Sequence, residues 1–363
     1  MEEKTKKIGI YIHWPFCKSK CPYCDFYKEI AKNVNQDEIV DSYIADLDFY
    51  RNYINSQKVC SVFFGGGTPS LMEPRLVEKL LNHIYKNFSV LSNLEISMEA
   101  TPNSNRDNLF ADLRTAGINR LSLGVQSFSD EELKFLGRTH NSKQALSAID
   151  EVLKSFDNHS IDLMYALPSQ TVQSWEKSLA FAANLGLKHI SLYQLTIEDG
   201  TIFQKKNISA MPEEKASELY LMTENFMEEK GYRKYEVSNF AKPQFESIHN
   251  LLYWQGDDYI GIGKSAHGRI GLLATEHPRQ IMELSPRERA EELLIMGLRL
   301  ADGINKRKFF EICNIKFDEF INREFLLTAQ KEGLLVDSAE TLKASKKGFL
   351  VLNYLIEHLC PSL

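Results

Sequence analysis

Short runs of apolar, often β-branched residues recur along the first half of the chain, with amphipathic stretches between them. The runs lie at residues 8–13, 60–65, 94–100, 120–125, 160–165 and 189–195. Segments 37–53, 75–88, 142–155 and 173–185 carry apolar residues at every third or fourth position, which is typical of helices that cover a sheet. The pattern predicts six strands of a parallel α/β array. Periodicity alone leaves open whether the sheet forms a barrel or a doubly wound sheet.

After about residue 200 the alternation stops, and the pattern predicts one further strand at 234–240 before a glycine-rich segment at 256–268. Helical patterns then dominate, at 287–300, 306–313, 317–332 and 348–359, with a hairpin wing at 334–345. We therefore expect a core at 1–205, an extension at 206–279, and a small, mostly helical domain of winged-helix type at 280–363.

Composition and charge narrow the classes of function. The chain has 363 residues, 43% of them hydrophobic, and a net charge of -6, which is typical of a globular protein and disfavours nucleic-acid partners. The basic residues of the last segment are few and mixed with acids, which favours a solvated surface. No run of 18 apolar residues and no apolar N-terminal signal region occurs. We expect a cytoplasmic protein without a transmembrane segment, and peripheral membrane contact stays open.

Three cysteines directly after the first predicted strand are the strongest chemical signal. Cys17, Cys21 and Cys24 have the spacing CxxxCxxC. Structural zinc sites use four protein ligands, and disulfide frameworks pair their cysteines, so neither pattern is met. A 4Fe-4S cluster held by three thiolates keeps one iron open to another ligand. Zinc, or three unrelated thiols, is the alternative. Cys60, Cys313 and Cys360 lie among apolar residues and are interpreted as buried small side chains.

The sequence YIHWPFCKSKCPYC, which ends on the third of these cysteines, resembles the opening of the radical S-adenosylmethionine (SAM) superfamily, and within it the coproporphyrinogen-oxidase-like branch. The resemblance implies that the open iron binds the amino and carboxylate groups of SAM. It implies that the reduced cluster cleaves SAM to a 5'-deoxyadenosyl radical, with a reductant of flavodoxin or ferredoxin type. It also selects a partial (β/α)6 barrel, with residues 1–205 as the radical SAM core.

Further polar residues follow the predicted strands, where an α/β barrel places its chemistry. A glycine turn follows the second strand, and Glu99, Gln126 and Asp162 interrupt apolar runs. A carboxylate in such a run is costly unless it has a partner, and SAM offers both a cation and hydroxyl groups. Ordinary turns, caps or ion pairs are the alternative. The resemblance implies SAM contacts for Tyr11, Tyr23, Gly66, Gly67, Thr68, Glu99, Gln126, Arg138 and Asp162, with Arg138 as a clamp for the carboxylate.

Two departures distinguish this chain from the oxygen-independent coproporphyrinogen oxidases. Phe26 stands where those enzymes have a further cysteine, and only ten residues precede Tyr11. The hexapeptide His249-Asn250-Leu251-Leu252-Tyr253-Trp254 matches HNxxYW, and with Phe26 it makes the chain resemble the heme chaperones of the HemW type.

That resemblance implies heme as a third cofactor and transfer of heme to an unknown acceptor protein. We expect His249 to be an axial ligand of the heme iron, with Tyr253 and Trp254 forming an apolar wall, and His267 is the next candidate ligand. The alternative is a structural role, in which Tyr253 and Trp254 pack the open side of the barrel and His249 caps a turn. No catalytic residue is assigned. Two alternatives stay open: a radical SAM oxidoreductase similar to the coproporphyrinogen III oxidases, and an interaction module that the cluster only stabilises. Whether the protein is an enzyme is therefore left open.

Overall fold

The computed structural model describes residues 6–30, 34–54, 56–103 and 108–360. The start of the expected signal-free N-terminus, residues 1–5, lies outside this range.

Most strands belong to one large sheet. The strands are β1 (Lys7–Trp14), β2 (Phe16–Cys17), β3 (Glu29–Ile30), β4 (Lys58–Gly66), β5 (Val90–Ala100), β6 (Arg120–Gln126), β7 (Asn158–Tyr165), β8 (His189–Gln194), β9 (Arg233–Glu236), β10 (Asn239–Ala241), β11 (Asp258–Ile262), β12 (His267–Ile270), β13 (Leu273–Glu276), β14 (Gln280–Glu283), β15 (Ile304–Asn305), β16 (Leu335–Asp337) and β17 (Thr341–Ala344).

Helices follow most of the barrel strands and then form the end of the chain. They are α1 (Gln36–Arg51), α2 (Pro74–Asn87), α3 (Leu109–Thr115), α4 (Asp130–Phe135), α5 (Ser142–Ser155), α6 (Val172–Asn184), α7 (Ile202–Lys205), α8 (Glu213–Glu229), α9 (Ile248–Gln255), α10 (Pro286–Gly297), α11 (Lys306–Cys313), α12 (Phe317–Phe320), α13 (Arg323–Lys331), α14 (Lys346–Phe349) and α15 (Leu352–Leu359).

The predicted barrel strands are confirmed. β1, β4, β5, β6, β7 and β8 pair in parallel in this order, with helices as crossovers. β11 adds a parallel strand beside β1, and β10 adds an antiparallel strand beside β8. The order β14-β13-β12-β11-β1-β4-β5-β6-β7-β8-β10-β9 leaves two edges apart, so the barrel is partial. The fold is a partial (β/α)6 barrel.

Side chains alternate between the two faces of each barrel strand. Ile8, Ile10 and Ile12 of β1 belong to the main hydrophobic core, which they share with the apolar faces of the surrounding helices. The residues between them point to the opposite face, where β5 contributes Glu95 and Ser97. Apolar residues therefore face the helices, and the barrel interior is unusually polar.

The last part of the chain has a hydrophobic core of its own. Its buried residues lie between Ala290 and Cys360, on α10 to α15 and a three-stranded sheet in the order β15-β17-β16. β16 and β17 are antiparallel and form the predicted wing. This part is a winged-helix-like domain. The domain boundaries at 205/206 and 279/280 stay predictions.

Three boundaries differ from the sequence pattern. Segment 234–240 is not one strand but parts of β9 and β10, because the backbone turns at Ser238, whose N–H donates to Glu236 of the same segment. Segment 317–332 is two helices, because the Asn322 side chain caps a new helix by accepting from the Phe325 N–H. Segment 348–359 likewise divides into the end of α14 and the helix α15.

A hydrogen bond and an ion pair hold the C-terminal domain against the barrel. Arg289 is buried and donates to the Gly256 carbonyl oxygen at 2.8 Å, while Lys308 pairs with Asp257 at 2.6 Å. Lys306 pairs with Asp337 at 2.6 Å within the domain. Several of its basic residues are therefore neutralised by neighbouring carboxylates. Within the described ranges, no helix combines the length and apolar character needed to cross a membrane.

We predict that Leu294→Ala destabilises the protein by about 2–5 kcal/mol, because it leaves a cavity in the second core. Leu294 is fully buried there, whereas Leu327 on α13 is 55% exposed. Leu327→Ala should change the free energy of unfolding by less than about 0.5 kcal/mol. Urea unfolding followed by circular dichroism measures both values. Equal effects of the two substitutions would contradict the assigned core.

Candidate functional site

A pocket of about 430 Å³ lies at the C-terminal ends of the barrel strands. This is the end where α/β barrels carry their functional groups. Most of the residues predicted as ligands line this one pocket: Cys17, Cys21, Tyr23, Cys24, Gly66, Gly67, Thr68, Glu99, Gln126, Arg138 and Asp162.

Cys17 ends the short strand β2, and Cys21 and Cys24 lie on the loop between β2 and β3. All three are free thiols. Thr68 Oγ1 lies 3.6 Å from Cys17 Sγ, and Arg138 Nη1 donates to Cys21 Sγ at 3.4 Å. Among the described residues, no group of three His, Cys, Asp or Glu side chains is arranged to hold a single metal ion. A cluster differs, because each thiolate binds a different iron. Three free thiols on one wall of a pocket fit that group.

The glycine turn after β4 packs tightly against the start of the cysteine loop. The N–H of Gly67 donates to the Trp14 carbonyl oxygen at 2.7 Å, and that of Thr68 to Phe16 at 2.9 Å. A Cβ on Gly67 would lie 2.8 Å from backbone atoms of this segment. Gly66 has a φ of 110°, which favours glycine. The glycines therefore fix the turn to the cysteine loop and, at the same time, expose its backbone to the pocket.

Two carboxyl groups face the pocket from neighbouring parts of the barrel. Glu99 Oε2 accepts from the Gly66 N–H at 3.2 Å, and Asp162 Oδ1 accepts from Ser122 Oγ at 3.0 Å. Burial, and then the charge of Asp162, raise the pKa of Glu99 to about 8. Burial also raises the pKa of Asp162. Within the described ranges neither carboxyl group forms a salt bridge, although Arg120 and Arg138 lie near enough to Asp162 to oppose the rise in its pKa. The pair therefore favours a ligand that brings a positive charge or hydroxyl groups.

Arg138 is tied to the cysteine loop and to a strand end. Its Nη2 donates to the Gly124 carbonyl oxygen at 3.1 Å, and its Nη1 also donates to the Tyr23 hydroxyl at 3.5 Å. Gln126 ends β6 with a φ of 69°, an unusual value for a residue other than glycine. Such backbone strain is typical of functional positions. The side chains of Tyr23, Gln126 and Arg138 all line the pocket.

Tyr11 does not line the pocket. Its hydroxyl lies 2.9 Å from His13 Nδ1, and its ring stacks on Phe63 and His249 inside the barrel. His13 is buried, and its Nε2 lies 3.2 Å from the Tyr27 carbonyl oxygen. Tyr11 therefore lies one layer below the pocket, where it supports the strand that leads to the cysteines.

The HNxxYW segment forms helix α9, which packs into the barrel interior away from the pocket. The buried carboxylate of Glu95 accepts from Ser247 Oγ at 3.4 Å and from the N–H groups of Ile248 and His249 at 3.0 and 3.2 Å. Hydrogen bonds to a charged carboxylate are among the stronger ones in proteins, so Glu95 anchors the first turn of α9. The helix also lies close to β1, because a Cβ on Gly9 would lie 2.7 Å from Leu252.

His249 is fully buried, whereas a ligand of the heme iron has to be accessible to heme. Its Nδ1 lies 2.7 Å from Ser61 Oγ, and its Nε2 lies 2.6 Å from the Tyr253 hydroxyl. Burial, and then Arg120, lower its pKa to about 3, so the ring is neutral. Neither nitrogen is free for an iron in this conformation. Tyr253 packs edge-on against the imidazole instead of forming an open wall, and Trp254 is half-buried. His267 is exposed.

Several pocket residues do not follow from the sequence analysis. They are Lys18, Ser19, Asp25, Phe26, Lys28, Thr101, Asn103, Thr139, Met164, Tyr193, Gln194, Thr196 and Glu198. The rule that polar residues at strand ends are functional applies equally to Gln194 at the end of β8 and could have found it. Met164 and Tyr193 lie near the ends of β7 and β8. The remaining residues lie on loops, whose placement has no periodic signal.

Ionisation of Glu99 should make the ligand-free protein less stable as pH rises. The pKa of Glu99 is raised from 4.5 to about 8, so the folded state holds a proton that the unfolded state loses between these values. Stability from this group is therefore present at low pH and is lost as pH rises towards 8. Glu99→Gln should raise the melting temperature relative to the parent by ~2 °C at pH 8.5, and by less at pH 5.

Thermal scans from pH 5 to 8.5 measure this difference. Glu218→Gln, on the exposed face of α8, is the matched control and should give a difference that does not depend on pH. A pH-independent difference for Glu99→Gln would contradict the interpretation of the carboxyl pair.

Comparison with known proteins agrees with this architecture. The radical SAM superfamily matches residues 11–182, and the HemN C-terminal domain matches residues 284–351. The solved structure of coproporphyrinogen III oxidase (HemN) from Escherichia coli, a radical SAM enzyme, has a TM-score of 0.82 at 21% identity. The alignment covers 99% of this chain and 91% of that chain, which shows a shared fold.

Two relatives are similar over nearly their whole length. Heme chaperone HemW of Buchnera aphidicola subsp. Acyrthosiphon pisum is 35% identical, and the match covers 96% of this chain and 97% of that protein. Radical S-adenosyl methionine domain-containing protein 1, mitochondrial, of Bos taurus is 34% identical over 99% of this chain and 88% of that protein. Because the sequence is about 35% identical to such a relative over nearly the full length of both chains, the chain belongs to the HemW family of heme chaperones within the radical SAM superfamily.

Proposed function

We propose that this protein is a heme chaperone that binds a 4Fe-4S cluster and SAM and transfers heme to an acceptor protein. The observation that carries the proposal is the near full-length similarity to proteins named heme chaperone HemW. The pocket supports it with three free thiols and two carboxyl groups at one end of the barrel. The location in the cytoplasm and the identity of the acceptor stay predictions.

Cys17, Cys21 and Cys24 would hold the cluster, because thiolates are its usual protein ligands. When bound, the cluster supplies one-electron chemistry and an open iron for SAM. Thr68 and Arg138 contact two of the thiols and help to fix them. A flavodoxin or ferredoxin would be the reductant.

The remaining pocket residues would hold SAM. Glu99 and Asp162 offer carboxyl groups to its hydroxyl or amino groups, and the Gly66-Gly67-Thr68 turn offers backbone and hydroxyl groups. Arg138 offers a guanidinium group to the carboxylate, beside Tyr23 and Gln126. Tyr11 would contribute indirectly, because it does not line the pocket and its hydroxyl contacts His13 on the strand that leads to the cysteines.

Heme ligation by His249 requires α9 to move. Both ring nitrogens have hydrogen-bond partners within the barrel, and Glu95 holds the first turn of the helix. We therefore propose a closed form, which the structure shows, and an open form in which His249, Tyr253 and Trp254 meet the heme. Binding to a minor open form is weakened by the fraction of protein that is open.

Oxidation of coproporphyrinogen III is disfavoured as the function. Phe26 stands in the place of the further cysteine of those oxidases, and it is 68% exposed at the pocket mouth. The structural likeness to HemN at 21% identity concerns the fold alone.

Serine in place of Cys17, Cys21 or Cys24 should abolish the cluster, because an alkoxide is a poor substitute for a soft thiolate ligand. Iron and sulfide content after anaerobic reconstitution, together with the visible absorbance, measure this. Cys60, Cys313 and Cys360 are the matched controls, since all three are buried outside the pocket. Serine at the control positions should keep the cluster. If a control variant loses the cluster while the variants at Cys17, Cys21 and Cys24 keep it, the assigned ligands are wrong.

Hemin titration with and without SAM tests heme carriage. The parent should bind hemin stoichiometrically, and His249→Ala should lower the affinity and shift the Soret band while cluster content stays the same. Glu95→Gln weakens charged hydrogen bonds worth about 1.5–3 kcal/mol each, so more of the protein is open and hemin should associate roughly threefold faster or more.

His267→Ala is the control for an exposed imidazole and should bind hemin as the parent does. If His267→Ala loses the Soret signal and His249→Ala keeps it, the ligand is His267. A parent protein that binds no hemin, or that converts coproporphyrinogen III with formation of 5'-deoxyadenosine, would overturn the chaperone function.

A further inference from the structure

The exposed side of helix α15 combines an imidazole with apolar and aromatic groups. Val351 lies directly before the helix, and Tyr354 and His358 follow it after three and seven residues, so the three side chains share one side. Val351 is 39% exposed, Tyr354 is 50% exposed, and His358 is exposed as well. Phe325 of α13 contacts both rings, with centroid distances of 5.8 Å to Tyr354 and 5.2 Å to His358. These four residues form the α15 face.

The His358 imidazole is held in the orientation of a metal ligand. Its Nδ1 lies 3.0 Å from the Tyr354 carbonyl oxygen, and the Tyr354 ring packs against it with a centroid distance of 4.0 Å. Because a carbonyl oxygen only accepts hydrogen bonds, Nδ1 carries the hydrogen, and the lone pair of the neutral ring is on Nε2. Among the described residues, none forms a hydrogen bond with Nε2. A hydrogen bond from the other ring nitrogen to a backbone carbonyl is a common way to fix a metal-binding histidine.

The other eight histidines lack this combination. His83 lies 3.0 Å from a carboxylate oxygen of Asp48, and His277 lies 3.1 Å from one of Asp46. His267 is exposed, but within the described ranges it contacts no aromatic ring. The remaining five are buried: His13, His140, His159, His189 and His249. His358 is therefore the histidine that offers both an accessible ring nitrogen and aromatic neighbours.

This combination fits a porphyrin better than a bare metal ion. The described residues contain no group of three His, Cys, Asp or Glu side chains around one metal position, so a bare ion would lack further ligands here. A porphyrin supplies the equatorial ligands of its iron and needs only an axial ligand from the protein. Val351 lies about 10 Å along the helix from His358, so Val351 and Tyr354 can cover one side of a large flat macrocycle. A histidine in the last turn also suits the negative end of the helix dipole, but that role does not require exposed apolar neighbours.

We propose that the α15 face is a second heme-binding site, in which His358 Nε2 is an axial ligand of the iron and Val351, Tyr354 and Phe325 contact the porphyrin. The proposal rests on the proposed function and adds a site that is accessible while α9 is closed over His249. The outer axial position of the iron faces solvent, where a ligand from an acceptor protein can bind before the bond to His358 breaks. Only iron ligands are exchanged in this step, and no electron is transferred.

Hemin titration of the full chain in the His249→Ala background isolates the second site. His249→Ala/His358→Ala should bind hemin about tenfold more weakly than His249→Ala, because it lacks the axial ligand of the α15 face. His249→Ala/His267→Ala removes the other exposed imidazole and should bind hemin as His249→Ala does. The absorbance of the Soret band measures the affinity of each variant.

Tyr354→Ser tests the aromatic part of the face and is matched by Tyr85→Ser, which changes a ring that is 51% exposed on α2. In the His249→Ala background, Tyr354→Ser should weaken hemin binding by about threefold to tenfold, and Tyr85→Ser should leave it unchanged. A second copy of the chain is the other occupant to exclude. If analytical ultracentrifugation shows a hemin-free dimer that Tyr354→Ser dissociates, the face is an interface between copies and the heme site is overturned.

Stopped-flow mixing with hemin tests whether the site is accessible in the closed form. The parent should bind hemin in a fast phase, on the α15 face, and in a slower phase that depends on the opening of α9. His358→Ala should lose the fast phase and keep the slower one. A fast phase that persists in His358→Ala would contradict the proposed site.

The second site and the proposed function fail separately, because hemin binding does not measure transfer. If the hemin-loaded parent passes no heme to apomyoglobin, the chaperone function is wrong, while the titrations still decide on the α15 face. If His249→Ala/His358→Ala binds hemin as tightly as His249→Ala, the α15 face is not a heme site and the chaperone function stands.

Discussion

The structure depends on the alternation of side chains along the barrel strands. Ile8, Ile10 and Ile12 pack against the helices on one face of β1. The residues that alternate with them along the strand therefore point into the barrel. Many of those inward residues are polar, and buried polar groups need partners. Helix α9 provides partners inside the barrel through Ser247 and its first N–H groups. At the pocket, Glu99 and Asp162 each accept a hydrogen bond from the protein and still face open space, where a ligand can donate further hydrogen bonds. The barrel interior around Glu95 is filled by the protein itself, and the pocket around Glu99 and Asp162 is left for a ligand.

Much of this could be predicted from the sequence, because the signals are local. The barrel strands follow from apolar runs, and the cysteine spacing and the glycine turn each lie within a few residues. Glu99 and Asp162 are visible as carboxyl groups that interrupt apolar strands. These features are brought to one pocket by a rule of the fold, that the C-terminal ends of parallel strands meet.

The place of HNxxYW could not be predicted, because it depends on contacts between distant residues. His249 is satisfied by Ser61, and its helix is held by Glu95, far away in the sequence. The sequence also gives no sign that β11 joins β1, since a short run with glycines is ambiguous by periodicity. Imidazole and aromatic rings in one hexapeptide suit both a heme site and a packed barrel interior.

The closed position of α9 sets a requirement for any open form. Departure of the helix uncovers the ring faces of Phe63 and Tyr11, on which His249 stacks. It also leaves the Glu95 carboxylate without its donors. A flat porphyrin can cover apolar ring faces, but it offers no hydrogen-bond donor to a carboxylate. Water must therefore reach Glu95 when the helix leaves. In the proposed opening, the Glu95 carboxylate therefore adds to the cost of moving α9, together with the lost Ser61–His249 hydrogen bond and the uncovered ring faces. A substitution at Glu95 that favours the open form for heme would at the same time weaken the contacts that hold α9 in the barrel.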